Sequence, residues 1–204
     1  MDKGVTDDAL PLGSEDELQW RLSLLTPTEN SRGVFFNSVL DVVRHLGDET
    51  AVQRCLEVGG EAQFLDFFNY PFSTYLKVIY TAARLLGEKH GGFVEAVRKM
   101  GYHASLSFYA SPPGRVVMLM AHGDPRRLLN SLPSATRTTS SVAEGSVWLT
   151  GPKSGVLCYK RDFMPRPYTA GALQATFESA KVKGVKVNPR PIGPLDTEYE
   201  ISWE

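Results

Sequence analysis

The 204-residue chain has only two cysteines, Cys55 and Cys158, about half the chain apart and without CxxC spacing. Such a pair supports neither a disulfide framework nor a thiolate zinc site, so both read as reduced structural thiols. Cys55 falls in a helical pattern and Cys158 in a strand-like run. Net charge is almost absent as well: 22 basic and 23 acidic residues leave a formal −1, which gives no global attraction to nucleic acid or an acidic membrane. No apolar run approaches the roughly 18 residues of a membrane span. The acidic start, MDKGVTDDALPLGSEDE, lacks the basic-then-apolar order of a secretory signal. A cytoplasmic protein with no membrane and no nucleic-acid partner is expected. Hydrophobic residues at 42% and charged residues at 22% are those of an ordinary globular chain.

Chemical motifs are equally scarce. The nearest approach to a phosphate loop, Gly151-Pro152-Lys153-Ser154-Gly155, has too short a glycine spacing. Pro152 has no amide hydrogen, and the segment lies between two strand-like runs, so it reads as a hairpin turn. Gly-x-Ser-x-Gly, His-Glu-x-x-His and Gly-x-Gly-x-x-Gly are absent. His45, His90, His103 and His122 are scattered, with no i, i+4 pair to make a helical metal face. No catalytic residue and no metal ligand can be assigned.

What is present is a long helical pattern followed by strands. An acidic tail, residues 1–13, is expected to be disordered. Ser14 and Glu17 then have capping-box spacing and open a helix carrying Leu18, Leu22 and Leu25, stopped by Pro27. Phe35, Val39, Val42, Val43 and Leu46 repeat at helical intervals up to Gly47. Asp48 caps a third helix that ends at Gly59-Gly60, and FLDFFNYP follows. Further helices are predicted from Pro71 to Glu88, from Phe93 to Tyr109, and from Pro125 to about Leu132 behind the cap Asp124. Strands are predicted from Val142 to Thr150 and from Val156 to Arg161. After a helix from Tyr168 to Val182 come strands from Val185 to Pro189 and from Glu198 to Trp203, with Tyr199, Ile201 and Trp203 on one face. The class is α+β: a mainly helical part, 14–132, and a ββαββ antiparallel-sheet module, 133–204, forming one domain around a shared core.

The charge is unevenly spread. Residues 1–17 hold six acids against Lys3, whereas residues 151–190 hold eight bases against Asp162 and Glu178. The C-terminal module is therefore expected to offer a basic region to an anionic ligand or an acidic protein.

Three stretches carry a resemblance: RGVFFNSVLDVVRHLGDE, TAARLLGEKHGGFVEAVRKMG and YTAGALQATFESAKVKGVKV. From Arg32 onward they resemble the opening helix, the central helix pair and the late helix and strand of the haem-nitric-oxide/oxygen-binding (H-NOX) domain. RGVFF, NYP and the terminal EYEISW also resemble a family of multiply paralogous myxobacterial proteins with no established activity. The H-NOX resemblance implies a haem fold without its haem residues. Arg127 stands at the iron-ligand position counted from Asp124, and a guanidinium cannot donate a lone pair to iron. Tyr159, Arg161 and Phe163 stand at the three positions of the family's Tyr-x-Ser-x-Arg motif, so only the tyrosine matches. His122 is the one nearby substitute ligand.

The expectation is a non-catalytic sensor or adaptor that needs no cofactor. Its interior is either refilled, by the aromatics from Phe64 to Phe72, or left as a pocket bordered by Arg127, Tyr159, Arg161 and His122. The partners left open are a small anionic ligand, a protein, and a second copy in a homodimer. Two alternatives remain: an enzyme whose site assembles only in three dimensions, for instance Cys158 beside Arg161, and a haem-based gas sensor with a non-standard ligand.

Overall fold

A computed structural model of the chain describes residues 10–110, 112–121, 123–139 and 142–204. Helix α1 (Glu15–Ser23) opens at the expected cap: Ser14 Oγ accepts from the Glu17 amide at 3.1 Å, and Glu17 Oε2 reaches back to the Gly13 amide at 2.6 Å. Residues 1–9 of the expected tail lie outside the described residues, whereas Gly13, at its end, is already docked, its carbonyl taking a bond from Arg84 at 3.0 Å. Helix α2 (Gly33–Leu46) buries Phe36, Val39, Leu40 and Val43 on one stripe. Helix α3 (Glu49–Gly59) is capped by the Asp48 carboxylate on the Ala51 amide and closed by Gly60 in the left-handed region. Helices α4 (Phe72–Gly87), α5 (Phe93–Ala110) and α6 (Pro112–Ala121) complete the helical part. Two three-residue strands, β1 (Asn30–Arg32) and β2 (Asn69–Pro71), pair antiparallel beside it. They are too short to show an alternating pattern in the sequence.

Helix α7 (Pro125–Thr139) runs seven residues beyond its expected end at Leu132, straight through Pro133. A proline inside a helix forfeits one backbone bond. Here tertiary contacts prevail: Leu128, Leu129 and Leu132 are buried ahead of the proline, and beyond it Thr136 bonds the Tyr159 hydroxyl at 2.6 Å. The remaining order is β3 (Glu144–Gly151), β4 (Ser154–Lys160), α8 (Arg166–Ser179), β5 (Lys186–Pro191) and β6 (Thr197–Ser202). These strands form one antiparallel sheet in the order β3-β4-β6-β5. Register places Leu157 opposite Tyr199 and Gly155 opposite Ile201, so Leu157 and Tyr159 of β4 and Tyr199 and Ile201 of β6 share the face that α8 covers with Leu173 and Phe177. Trp203 extends that face and stacks on Phe177 with ring centroids 5.8 Å apart.

The buried apolar residues do not form the single core expected from sequence. One cluster, built on residues such as Phe36, Leu76, Ile79, Val97 and Met100, fills the helical part and takes in Val142, Phe163, Tyr168 and Leu195 from the later part. A second, with Leu129, Leu157, Phe177, Tyr199 and Ile201, lies between the sheet and α7 and α8. Helices α5 and α8 join the two parts, and they do so with backbone against backbone. A Cβ added to Gly101 would lie 2.0 Å from the Tyr168 carbonyl oxygen, and one added to Gly171 would lie 2.1 Å from that of Arg98. Arg98 to Gln174 (2.8 Å) and Tyr102 to Glu178 (2.6 Å) bond across the same crossing.

Alanine at Gly101 or Gly171 raises helix propensity by up to about 1 kcal/mol. It also forces apart two helix backbones that cannot yield as a flexible side chain would. The expected net cost of either substitution is about 1–3 kcal/mol, read as a fall in thermal midpoint of about 2–4 °C per kcal/mol. An unchanged midpoint in both variants would contradict the backbone-to-backbone crossing.

Candidate functional site

Between the two clusters lies a cavity of about 300 Å³. Its walls come from both parts of the fold: Phe35 from α2, Phe72 at the start of α4, Phe108 from α5 and Phe163 from the turn after β4. Its polar groups are mostly hydroxyls already engaged with one another. Tyr75 and Tyr168 meet at 3.0 Å, Tyr159 and Thr136 at 2.6 Å, and Tyr109 and Thr176 at 3.2 Å. Burial pushes Tyr168 up to about 12 and also raises Tyr75, Tyr109 and Tyr159, so these phenols keep their protons at neutral pH.

The one charged type among the described lining residues is Asp162. The chain reaches it through a turn in which Arg161 adopts φ 55°, a left-handed conformation that costs a non-glycine residue roughly 1–2 kcal/mol. Two bonds hold the turn: the Asp162 amide donates to Leu195 O at 2.7 Å and the Arg161 amide to Asp196 Oδ1 at 3.0 Å. The Asp162 carboxyl is buried and accepts from the Tyr199 hydroxyl (2.7 Å), the Thr169 hydroxyl (3.2 Å) and the Met164 amide (3.1 Å). Desolvation outweighs these bonds and raises its pKa above the ordinary carboxylate value. On the far side of the turn the fully buried Arg21 pairs with the fully buried Glu17 at 2.9 Å and donates to the Phe163 carbonyl at 3.2 Å. Helix α1 is thus tied to the loop that forms one cavity wall.

The four residues singled out from the sequence do not assemble around this cavity in the described structure. Tyr159 lines it. Arg161 is drawn away to Glu29 at 2.6 Å, with its guanidinium over the Phe163 ring. Arg127 stands on the outer face of α7, 68% exposed, 3.7 Å from Asp124. His122 lies outside the described residues. The aromatic run behaves unevenly: Phe64 stacks on Phe36, and Phe72 lines the cavity, but Phe67 is 88% exposed and Phe68 also faces solvent. The run does not refill the interior. The basic region is also partly neutralised in three dimensions, because Arg161 meets Glu29 and Arg190 meets Glu198. Neither thiol lines the cavity; burial pushes Cys55 up to about 12 and raises Cys158. Sequence reading missed Tyr75, Asp162, Tyr168 and Thr176. The two tyrosines sat within helical patterns that look like core, and Asp162 counted only as a counter-charge in a basic stretch.

Solved H-NOX structures share this fold. An Fe(II) unliganded H-NOX protein from K. algicida matches with TM-score 0.61 and 14% identity over 85% of this chain and 96% of that one. An oxygen-binding H-NOX domain related to soluble guanylate cyclases matches with TM-score 0.62 and 14% identity over 85% and 95%. Haem requires an axial donor and positive partners for its carboxylates. Among the described residues lining the cavity there is no imidazole, thiol, guanidinium or ammonium group. The phenols Tyr75, Tyr109, Tyr159 and Tyr168 are each bonded to a neighbouring hydroxyl, and Asp162 offers an acidic group where porphyrin carboxylates need positive charge. The thioether of Met164 is the one soft donor left. These residues do not fit haem.

Asp162 provides a pH test of the cavity wall. Its folded-state pKa lies above the unfolded value, so folding takes up a proton. Its stabilising contribution is full below the ordinary carboxylate value of about 3.9 and declines as pH rises through the raised folded value. Asp162→Asn removes that decline while keeping a polar side chain of the same shape. The thermal midpoint of Asp162→Asn minus that of the unmodified chain is expected to grow more positive from about pH 4 to about pH 7. A difference that is flat or shrinks over this range would contradict the assignment.

No curated protein sequence matches the chain. The family model described as "Protein of unknown function (DUF2378)" matches residues 24–204, nearly the whole chain, and the protein belongs to that family.

Proposed function

We propose that the chain is a non-catalytic sensor or adaptor whose H-NOX fold works without haem. It takes a small, uncharged and mainly apolar ligand in the cavity between its two parts. The observation that carries this reading is the lining itself: aromatic and aliphatic walls with paired neutral hydroxyls and no cationic side chain among the described residues. A volume of about 300 Å³ lies at the small end of the range for ligand pockets. The wall chemistry favours a neutral ligand over the anion expected from Arg127 and Arg161, because an anion buried here would lose its hydration with no counter-charge in return. A catalytic role gains no support from Asp162, whose carboxyl oxygens are already taken up by three donors. A ligand touching both clusters stabilises the folded chain by mass action and ties the two parts together as one unit, which suits a switch.

Two fluorescent probes of nearly the same shape test this reading. N-phenyl-1-naphthylamine is neutral, and 8-anilinonaphthalene-1-sulfonate carries a sulfonate. The neutral probe is expected to bind saturably to the purified full chain with a rise in fluorescence. That signal should be lost in Ala172→Phe, which places a ring at a lining position. Equal binding of the sulfonate, or neutral-probe binding unaffected by Ala172→Phe, would refute the proposal.

A further inference from the structure

A count of hydroxyl protons deepens this reading of the cavity and rests on it. Each tyrosine hydroxyl carries one proton to donate and lone pairs to accept. Tyr75, from α4, and Tyr168, from α8, face each other across the boundary of the two parts at 3.0 Å. Both line the cavity, and they are only 6% and 9% exposed. Their mutual bond consumes one of the two protons, whichever oxygen donates. Neither hydroxyl has another hydrogen-bond partner among the described residues. One buried O–H is therefore left without an acceptor among the described residues, and a buried donor that stays unmet costs about 1–3 kcal/mol.

Other hydroxyls in the wall are accounted for differently. Ser38 donates to Val34 O at 2.9 Å and Thr169 donates to Asp162 at 3.2 Å. Thr176 has two acceptors for its one proton, Ala172 O at 2.7 Å and the Tyr109 hydroxyl at 3.2 Å. The Tyr75–Tyr168 pair carries its surplus proton next to the apolar rings of Phe72 and Phe163.

We infer that the cavity selects ligands bearing a neutral carbonyl oxygen on an apolar body, with that oxygen accepting the spare proton of the Tyr75–Tyr168 pair. A carboxylate could accept the same bond, but it finds no cation among the described lining residues. Burial keeps both phenols protonated, Tyr168 up to about 12, so the pair remains a donor throughout the physiological range.

The test compares 2-acetylnaphthalene with 2-isopropylnaphthalene, in which a methyl group replaces the carbonyl oxygen at nearly constant shape. Titration of the full chain is expected to show the ketone binding about 2- to 10-fold tighter, the worth of one net hydrogen bond. Tyr75→Phe and Tyr168→Phe each leave one hydroxyl whose proton is free, so each single variant should keep the preference. The double variant Tyr75→Phe/Tyr168→Phe should lose it. A preference that survives in the double variant, or is absent from the unmodified chain while both probes bind, overturns this inference and leaves the apolar-ligand reading standing. Failure of both probes to bind overturns the two together. Should the double variant not fold, the infrared carbonyl stretch of the bound ketone in the unmodified chain decides. A shift to lower wavenumber than in an alkane solvent is expected, and an unshifted band overturns the inference.

Discussion

The crossing of α5 and α8 sets the geometry of everything else. Gly101 and Gly171 let the two helix backbones touch where any side chain would intrude on a carbonyl. That contact joins the helical part to the sheet part with no side chain between the two backbones at Gly101 and Gly171. The rest of the boundary is left to side chains of ordinary size, which do not close it. Interiors are close-packed as a rule, and a void forfeits contacts on every wall. A cavity at the junction of two separate clusters therefore marks the place where the fold has not optimised its own packing.

The cavity wall is built with as much constraint as the crossing. The turn after β4 carries Asp162 and Phe163 inward, fixed by bonds to Leu195 and Asp196 on one side and by the buried Arg21 on the other. Breaking a buried ion pair such as Glu17–Arg21 is costly, because it leaves an uncompensated charge. Helix α1 is thus coupled to the same short loop that a bound ligand would touch. The wall presents phenols, rings and one well-bonded carboxyl, a chemistry unlike that required by the haem of the proteins that share the fold.

Much of the architecture was legible in the sequence, because caps and periodicity are local. Ser14 and Asp48 cap their helices as their spacing predicts, and Tyr199, Ile201 and Trp203 alternate onto the buried face. What escaped was decided at long range. Helix α7 survives Pro133 because leucines before it and Thr136 beyond it have partners elsewhere in the chain. Arg161 leaves the cavity because its backbone turns left-handed and its guanidinium meets Glu29, 132 residues away. Positions aligned to a haem motif pointed to Arg127 and Arg161, yet the residues that make the cavity are tyrosines that no motif distinguishes from core. The division into two clusters was likewise invisible, since each helical stripe looks the same whichever cluster it enters.

The central claim is that this fold holds a neutral ligand in place of haem. The freshly purified 204-residue chain, expressed with ample haem supply, can be examined by native mass spectrometry together with its visible absorbance. The account predicts no Soret band, and a complex whose excess mass is a small neutral molecule released on unfolding. A Soret band with haem released from the denatured chain would contradict it.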